Sequence, residues 1–276
     1  MTFSGPALPS AEIGVFDSGL GGLSVLREIR RQIPNASVLY LADTANVPYG
    51  DKPIHIVRDL ALQLTDHLVH AGARLILMAS GTSTVAGLEA ACRRYPHLPI
   101  VGTIEPGARA AVASSTGPIG ILATNATVKS RAFTEAVQAI DSAREVIEIG
   151  CPKFVPLVET GRAGTQEAEI AAFEYLQPLH AAKVQSIILG CTHFPFLLEV
   201  LHHAVARIGD PAFCPLFVDP SEASVRSALA LLPTLIKDTQ EAGTVHFAAT
   251  GDTEDFRHFA SLLLDAPIDF VSTLTL

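Results

Sequence analysis

A thiol, a hydroxyl and an imidazole stand side by side at Cys191-Thr192-His193. Together they can take up, hold and return a proton near neutral pH. The run before them, Ile187-Ile188-Leu189, is β-branched and aliphatic, as expected of a strand buried on both faces, and Gly190 ends it. Phe194-Pro195-Phe196-Leu197-Leu198 then opens a new apolar pattern, with Pro195 where a first helical turn accepts it. The reactive groups are therefore expected at the carboxyl end of a parallel strand, near a helix N-terminus. Open α/β sheets build their sites there. A helix N-terminus and a nearby imidazole can also draw a thiol from its usual pKa of about 8.5 towards neutrality, making it a base or a nucleophile. The plainer alternative is a buried Cys packing as a small hydrophobe. The Gly-Cys-Thr-His grouping favours chemistry over packing.

A second candidate lies near the start of the chain. Ile13-Gly14-Val15-Phe16 reads as a strand that runs into Asp17-Ser18-Gly19-Leu20-Gly21-Gly22, and Leu23, Val25, Leu26 and Ile29 follow at helical spacing. A dinucleotide fingerprint is excluded, because the third glycine expected at position 24 is Ser24 and Asp17 would face the pyrophosphate. Backbone N–H groups at a helix start can hold a carboxylate, and Asp17 beside them can hold a cation. That pairing suits an amino acid. The alternative is a tight β–α turn in which Asp17 caps the helix.

Strands and helices must alternate to place these loops, and they do. Val38-Leu39-Tyr40-Leu41-Ala42 is a second strand, followed by a polar loop over residues 43–50 that could close over a site. Residues 55–71 read as a helix with Ile56, Leu60, Leu64 and Leu68 at four-residue steps, and with His55, His67 and His70 in solvent. Leu75-Ile76-Leu77-Met78-Ala79 is a third strand, delivering Ser80-Gly81-Thr82-Ser83-Thr84. An internal repeat follows from these strings. Ile119-Gly120-Ile121-Leu122-Ala123-Thr124 restates residues 13–18, and residues 186–191 restate 75–80, at nearly equal offsets. Ser80 and Cys191 are then equivalent positions in two similar doubly wound α/β domains.

The first domain is expected over residues 1–103 and 217–276, starting its return with the strand Leu216-Phe217-Val218-Asp219, and the second over 104–216. Ile100–Gly107 is the crossing. Residues 151–159, punctuated by Pro152 and Pro156, read as an irregular loop, with a helix starting near Glu167. The first ten residues lack the basic and apolar regions of a signal peptide and read as a frayed tail.

Composition narrows the function classes. Of 276 residues 49% are hydrophobic and 17% charged, ample for a sizeable core. The net charge of −9 argues against nucleic-acid binding, which needs clustered Lys and Arg. No apolar run approaches the roughly 18 residues of a membrane span. Cys92, Cys151, Cys191 and Cys214 are scattered, with no C-x-x-C pair or zinc spacing, so no metal is expected and a reduced, cytoplasmic setting is.

Five blocks, FDSGLGGLSVLREI, ADTANVPYG, VGTIEPGARAA, CPKFVPLVE and GCTHFPFL, resemble in order those of the glutamate racemases, within the cofactor-independent aspartate/glutamate racemase superfamily; a weaker echo is TGD at 250–252. The resemblance implies two α/β domains related by a pseudo-two-fold, glutamate in the cleft between them, no cofactor, and a homodimer. It implies two opposed thiols, one per domain, as acid and base at the α-carbon. By position, Asp17 would assist the first thiol, and Glu159 and His193 would assist Cys191. Asp17, Ser18, Tyr49, Gly50, Gly81, Thr82, Thr192 and His193 match substrate-holding positions. Where the family's pattern has A-C-N-T, this chain reads Ala79-Ser80-Gly81-Thr82, so the first thiol and the following Asn are both replaced. Cys92, twelve residues on in the next helix, does not make good the loss. Three functions follow as expectations: a racemase supplying D-glutamate for peptidoglycan, active or impaired at Ser80; a silent binder of a small acid that serves regulation; or a one-cysteine lyase of the decarboxylase type.

Overall fold

A computed structural model describes residues 8–231 and 241–276. Most of the stretch read as a frayed tail lies outside them. The described chain forms two compact units, one running up to Gly102 and resuming at Ser224, the other Thr103–Ala223.

In the first unit β1 (Ile13–Asp17), α1 (Leu23–Gln32), β2 (Val38–Ala42), α2 (Ile54–His70), β3 (Leu75–Met78), α3 (Gly81–Arg94) and β4 (Ile100–Val101) alternate as the patterning requires. The second unit holds α4 (Ile104–Ser114), β5 (Ile119–Ala123), α5 (Asn125–Ser130), α6 (Ala132–Ile140), β6 (Val146–Gly150), α7 (Phe154–Glu159), α8 (Gln166–Ala181), β7 (Ser186–Leu189), α9 (Leu198–Ile208) and β8 (Leu216–Val218). After α10 (Pro220–Leu231), the strand β9 (Val245–Ala249), α11 (Thr253–Leu264) and β10 (Val271–Thr273) complete the first unit.

The sheets are ordered β10-β9-β2-β1-β3-β4 and β6-β5-β7-β8, parallel throughout. β1, β2, β3, β5 and β7 are buried along their whole length, which is why they read as unbroken apolar runs. The shared order of β2-β1-β3-β4 and β6-β5-β7-β8 is the internal repeat made visible, and it extends to register. Ile13 pairs with Leu75 and Phe16 with Met78; Ile119 pairs with Ser186 and Leu122 with Leu189.

The repeat also shares a packing device. A Cβ on Gly14 would lie 2.8 Å from Leu68 Cδ1 of α2, and one on Gly120 would lie 3.0 Å from Leu179 Cδ1 of α8. In both units a glycine in the central strand lets a crossover helix seat its leucine against the sheet.

Three expectations are corrected. Leu216–Val218 does not begin the return to the first unit: β8 pairs with β7 on the second sheet. Residues 154–159 are a helix rather than a loop, because Pro156 falls in the first turn, where its missing N–H has no helical partner to lose. On α2 the buried face is Val57, Ala61, Leu64 and Leu68, while Ile56 is 40% exposed. A strict four-residue step drifts about 40° per step from the helical period. His55 and His70 are exposed as expected, but His67 is half-buried, and burial lowers its pKa. Among the described residues no helix is long and apolar enough to cross a membrane.

Gly14→Ala is expected to destabilise the protein by about 1–3 kcal/mol, the usual cost of overfilling a packed core. Urea unfolding of Gly14→Ala and Gly120→Ala checks this, with the larger loss expected at Gly14, whose neighbour is nearer.

Candidate active site

The second unit places its reactive groups by strand pairing. Gly190 N–H donates to Leu122 O of β5 at 2.7 Å, carrying the chain across the sheet edge after β7. A Cβ at Gly190 would sit 3.0 Å from that oxygen and from Phe133, so a larger residue there would crowd both. Cys191 follows, half-buried, with its Sγ 3.6 Å from His193 Nδ1. His193 is 5% exposed, and its Nε2 lies 3.1 Å from Glu159 Oε1 at the end of α7. Thr192 is buried between them in sequence.

The turn is held by aromatic packing. Phe194 meets Phe154 of α7 edge-on at 5.0 Å, and Phe154 meets Tyr175 of α8 in the same way at 5.0 Å. These contacts fix α7, and with it Glu159, against the His193 turn. The helix expected after Pro195 begins as a 3-10 turn, Phe194–Leu197, and becomes α-helical only at Leu198. The imidazole, rather than a long helix dipole, is therefore the chief polar neighbour of the thiol.

The proton chemistry follows from donor and acceptor capacity. An ionised Glu159 can only accept, so the imidazole must carry its hydrogen on Nε2 to bond it. Nδ1 is then bare and faces the thiol, ready to take its proton. Cys151 is no rival: it is fully buried, and burial pushes its thiol far up. Burial also pushes up Cys92.

The first unit repeats the frame with different groups. Ala79 N–H donates to Phe16 O at 2.9 Å, the counterpart of the Gly190 bond, and Ser80 follows as Cys191 does. Ser80 is the N-cap of α3: its Oγ accepts from Ser83 N–H at 3.3 Å, and its carbonyl accepts from Thr84 N–H and Thr84 Oγ1. It is buried, with its hydroxyl engaged by the backbone. Gly81 and Thr82 begin the helix, half-buried, and Gly81 offers only its backbone.

Asp17 closes β1, 1% exposed, and its Oδ2 accepts from Gly19 N–H at 3.1 Å. It does not cap α1, whose N-cap is Gly22 without a side-chain bond. Gly22 is needed for closeness: a Cβ there would lie 2.6 Å from Asp17 Cβ, 2.7 Å from Tyr40 Oη and 2.9 Å from Ala79 Cβ. Tyr40 Oη donates to Gly19 O at 2.8 Å, and Tyr49 Oη to Asp43 Oδ2 at 2.5 Å. Burial pushes both phenols well above their usual range, helped by Asp17 at Tyr40 and by Asp43 and Asp17 at Tyr49. Both stay protonated as fixed donors. Ser18 is half-buried and Gly50 exposed, beside Asp17 and Tyr49 respectively.

Each unit thus carries its own set: Asp17, Ser18, Tyr49, Gly50, Ser80, Gly81 and Thr82 in one, Glu159, Cys191, Thr192 and His193 in the other. Asp43 was missed as a site element, although its position, an acid straight after a buried strand, is the one that singled out Asp17.

Comparison with known proteins places this arrangement. Residues 13–228 match the model of the family described as Asp/Glu/Hydantoin racemase. A glutamate racemase of Desulforudis audaxviator is 40% identical over 255 residues, covering 92% of this chain and 90% of its own. A Thermus thermophilus glutamate racemase, solved in complex with beta-chloro-D-alanine, superposes with a TM-score of 0.82 at 35% identity, covering 97% of this chain and 98% of its own. One from Francisella tularensis, in complex with D-glutamate, gives 0.85 at 26% identity over the same shares.

Two measurements probe the site. Timed alkylation with peptide mapping should label Cys191 before Cys92, Cys151 or Cys214, and His193→Ala should slow that labelling. Ser80→Ala should cost about 0.5–2 kcal/mol of stability, the value of a lost N-cap, read from denaturant midpoints. An unchanged midpoint would mean that the Ser80 hydroxyl is not a structural cap.

Proposed function

The chain belongs to the Asp/Glu/hydantoin racemase family, and from that membership we propose that it acts on glutamate as a cofactor-independent racemase, with Cys191 moving the α-proton. The observation that carries the reading is the line from Cys191 through His193 to Glu159. Removing a proton from the α-carbon needs a base near its working pH. His193 takes the thiol proton, Glu159 stabilises the imidazolium, and the thiolate attacks the α-hydrogen. The carbanion formed has no electron sink, so hydrogen-bond donors at Thr192 and around Asp17, Tyr49 and Gly50 must hold its carboxylates. The reading carries with it a cytoplasmic homodimer that supplies D-glutamate for peptidoglycan.

Inversion needs a second group to return a proton on the other face. The repeat provides an equivalent position in the first unit, but it holds Ser80, a far weaker acid than a thiol and one already engaged as a helix cap. Loss of one general acid/base group costs about 10²–10⁴-fold. A second reading, a family member that binds a small acid without inverting it, draws its support from this same residue.

One experiment separates the readings. In deuterated solvent the protein should exchange the α-hydrogen of L-glutamate slowly, seen by NMR, with little inversion by circular dichroism. Ser80→Cys with Gly81→Asn should raise inversion by about 10² or more. Calorimetric binding without exchange in either enantiomer would favour the silent binder. Inversion by the unaltered chain at the usual enzymic rate of about 1–10³ s⁻¹ would sink the two-thiol requirement.

A further inference from the structure

The end of β9 clamps the loop that carries Tyr49 and Gly50. Thr250 Oγ1 donates to Asp43 Oδ1 at 2.7 Å and accepts from Ala45 N–H at 3.0 Å. Thr250 N–H donates to Ala42 O at 3.0 Å, and Gly251 N–H to Thr44 Oγ1 at 2.9 Å. A Cβ at Gly251 would lie 2.6 Å from that hydroxyl, so the two segments are in direct contact. The register Ala42↔Ala249 brings them level.

Asp43 is the hub. It is fully buried, and its carboxylate accepts from Thr250 Oγ1, from Asn46 Nδ2 at 2.9 Å and from Tyr49 Oη at 2.5 Å. A buried carboxylate is tolerated only when its oxygens are bonded in this way. The Tyr49 hydroxyl is therefore committed inward, and it pins the backbone at Tyr49 and Gly50. Thr250 lies far from that backbone in sequence and reaches it through the Asp43 carboxylate and the Ala45 N–H.

We propose that Thr250 is a positioning residue for substrate: by fixing Asp43 and Ala45 it holds Tyr49 and Gly50 in the conformation that receives a carboxylate of glutamate. This rests on the glutamate reading above and assigns a role to the Thr-Gly-Asp stretch at 250–252. Hydrogen bonds to ionised groups are the strong ones, so losing the one at Thr250 should loosen the loop measurably.

The test is calorimetric binding of D- and L-glutamate to the full chain and to Thr250→Val, which keeps the shape and removes the hydroxyl. Affinity should fall about tenfold or more, and Thr250→Ser should recover it to within about threefold. Tyr49→Phe, which cuts the other arm of the hub, should also weaken binding. Adding Thr250→Val to it should cost less than in the wild type, because the two act along one path. Hydrogen exchange without ligand should quicken at residues 45–50 in Thr250→Val. Equal binding by wild type and Thr250→Val, or a Thr250→Ser no better than Thr250→Val, overturns the positioning role alone. Wild-type protein that binds neither enantiomer overturns the glutamate reading, and this role with it.

Discussion

One backbone hydrogen bond, made twice, decides where chemistry can stand in this protein. Just past the end of β3, Ala79 N–H bonds Phe16 O, and just past β7, Gly190 N–H bonds Leu122 O. Each bond extends the ladder one residue past the strand and delivers the next residue to the same place on its own sheet. The strands beneath are buried on both faces, so their register cannot slip without turning the apolar set outward. Gly14 and Gly120 let a helix press on each central strand, and that packing secures the register. Ser80 and Cys191 inherit their equivalence from this frame.

Equivalent backbone does not mean equivalent chemistry. At Cys191 the chain leaves the strand into a turn rather than straight into an α-helix, so the thiol is free to face His193. At Ser80 it enters α3 at once, and the first turn needs a side-chain acceptor for its unpaired N–H groups. A hydroxyl meets that need well. The exchange of thiol for hydroxyl therefore favours the local fold and disfavours proton transfer at the same atom.

The sequence carries the buried strands plainly, because β-branched apolar runs with polar ends have few other readings, and matching strings reveal the repeat. Cys191 and His193 are legible by adjacency. Glu159 is not, since its approach to His193 depends on Phe154 and Phe194 packing α7 against the turn; only the resemblance named it. α7 was hidden by Pro156, whose effect depends on which helical position it occupies. β8 is three residues long and exposed at Leu216, so its sheet cannot be read from pattern. Thr250 and Asp43 are the least legible pair: a polar partner more than 200 residues away leaves no local periodicity.

The two units carry different groups at matching positions of the repeat. Where the first unit has buried acids at Asp17 and Asp43, the second has Ala123 and Cys151 at the matching register, as the bonds Asp43 N–H to Asp17 O and Cys151 N–H to Ala123 O show. Buried carboxylates impose a retinue of donors, and Gly19, Asn46, Tyr49 and Thr250 supply it. The first unit is thus stiffened around fixed dipoles, which suits holding a charged ligand in one pose. Freed of that electrostatic load, the second unit can keep a half-exposed thiol beside an imidazole. A duplicated scaffold can in this way separate the rigidity that positions a substrate from the proton mobility that transforms it.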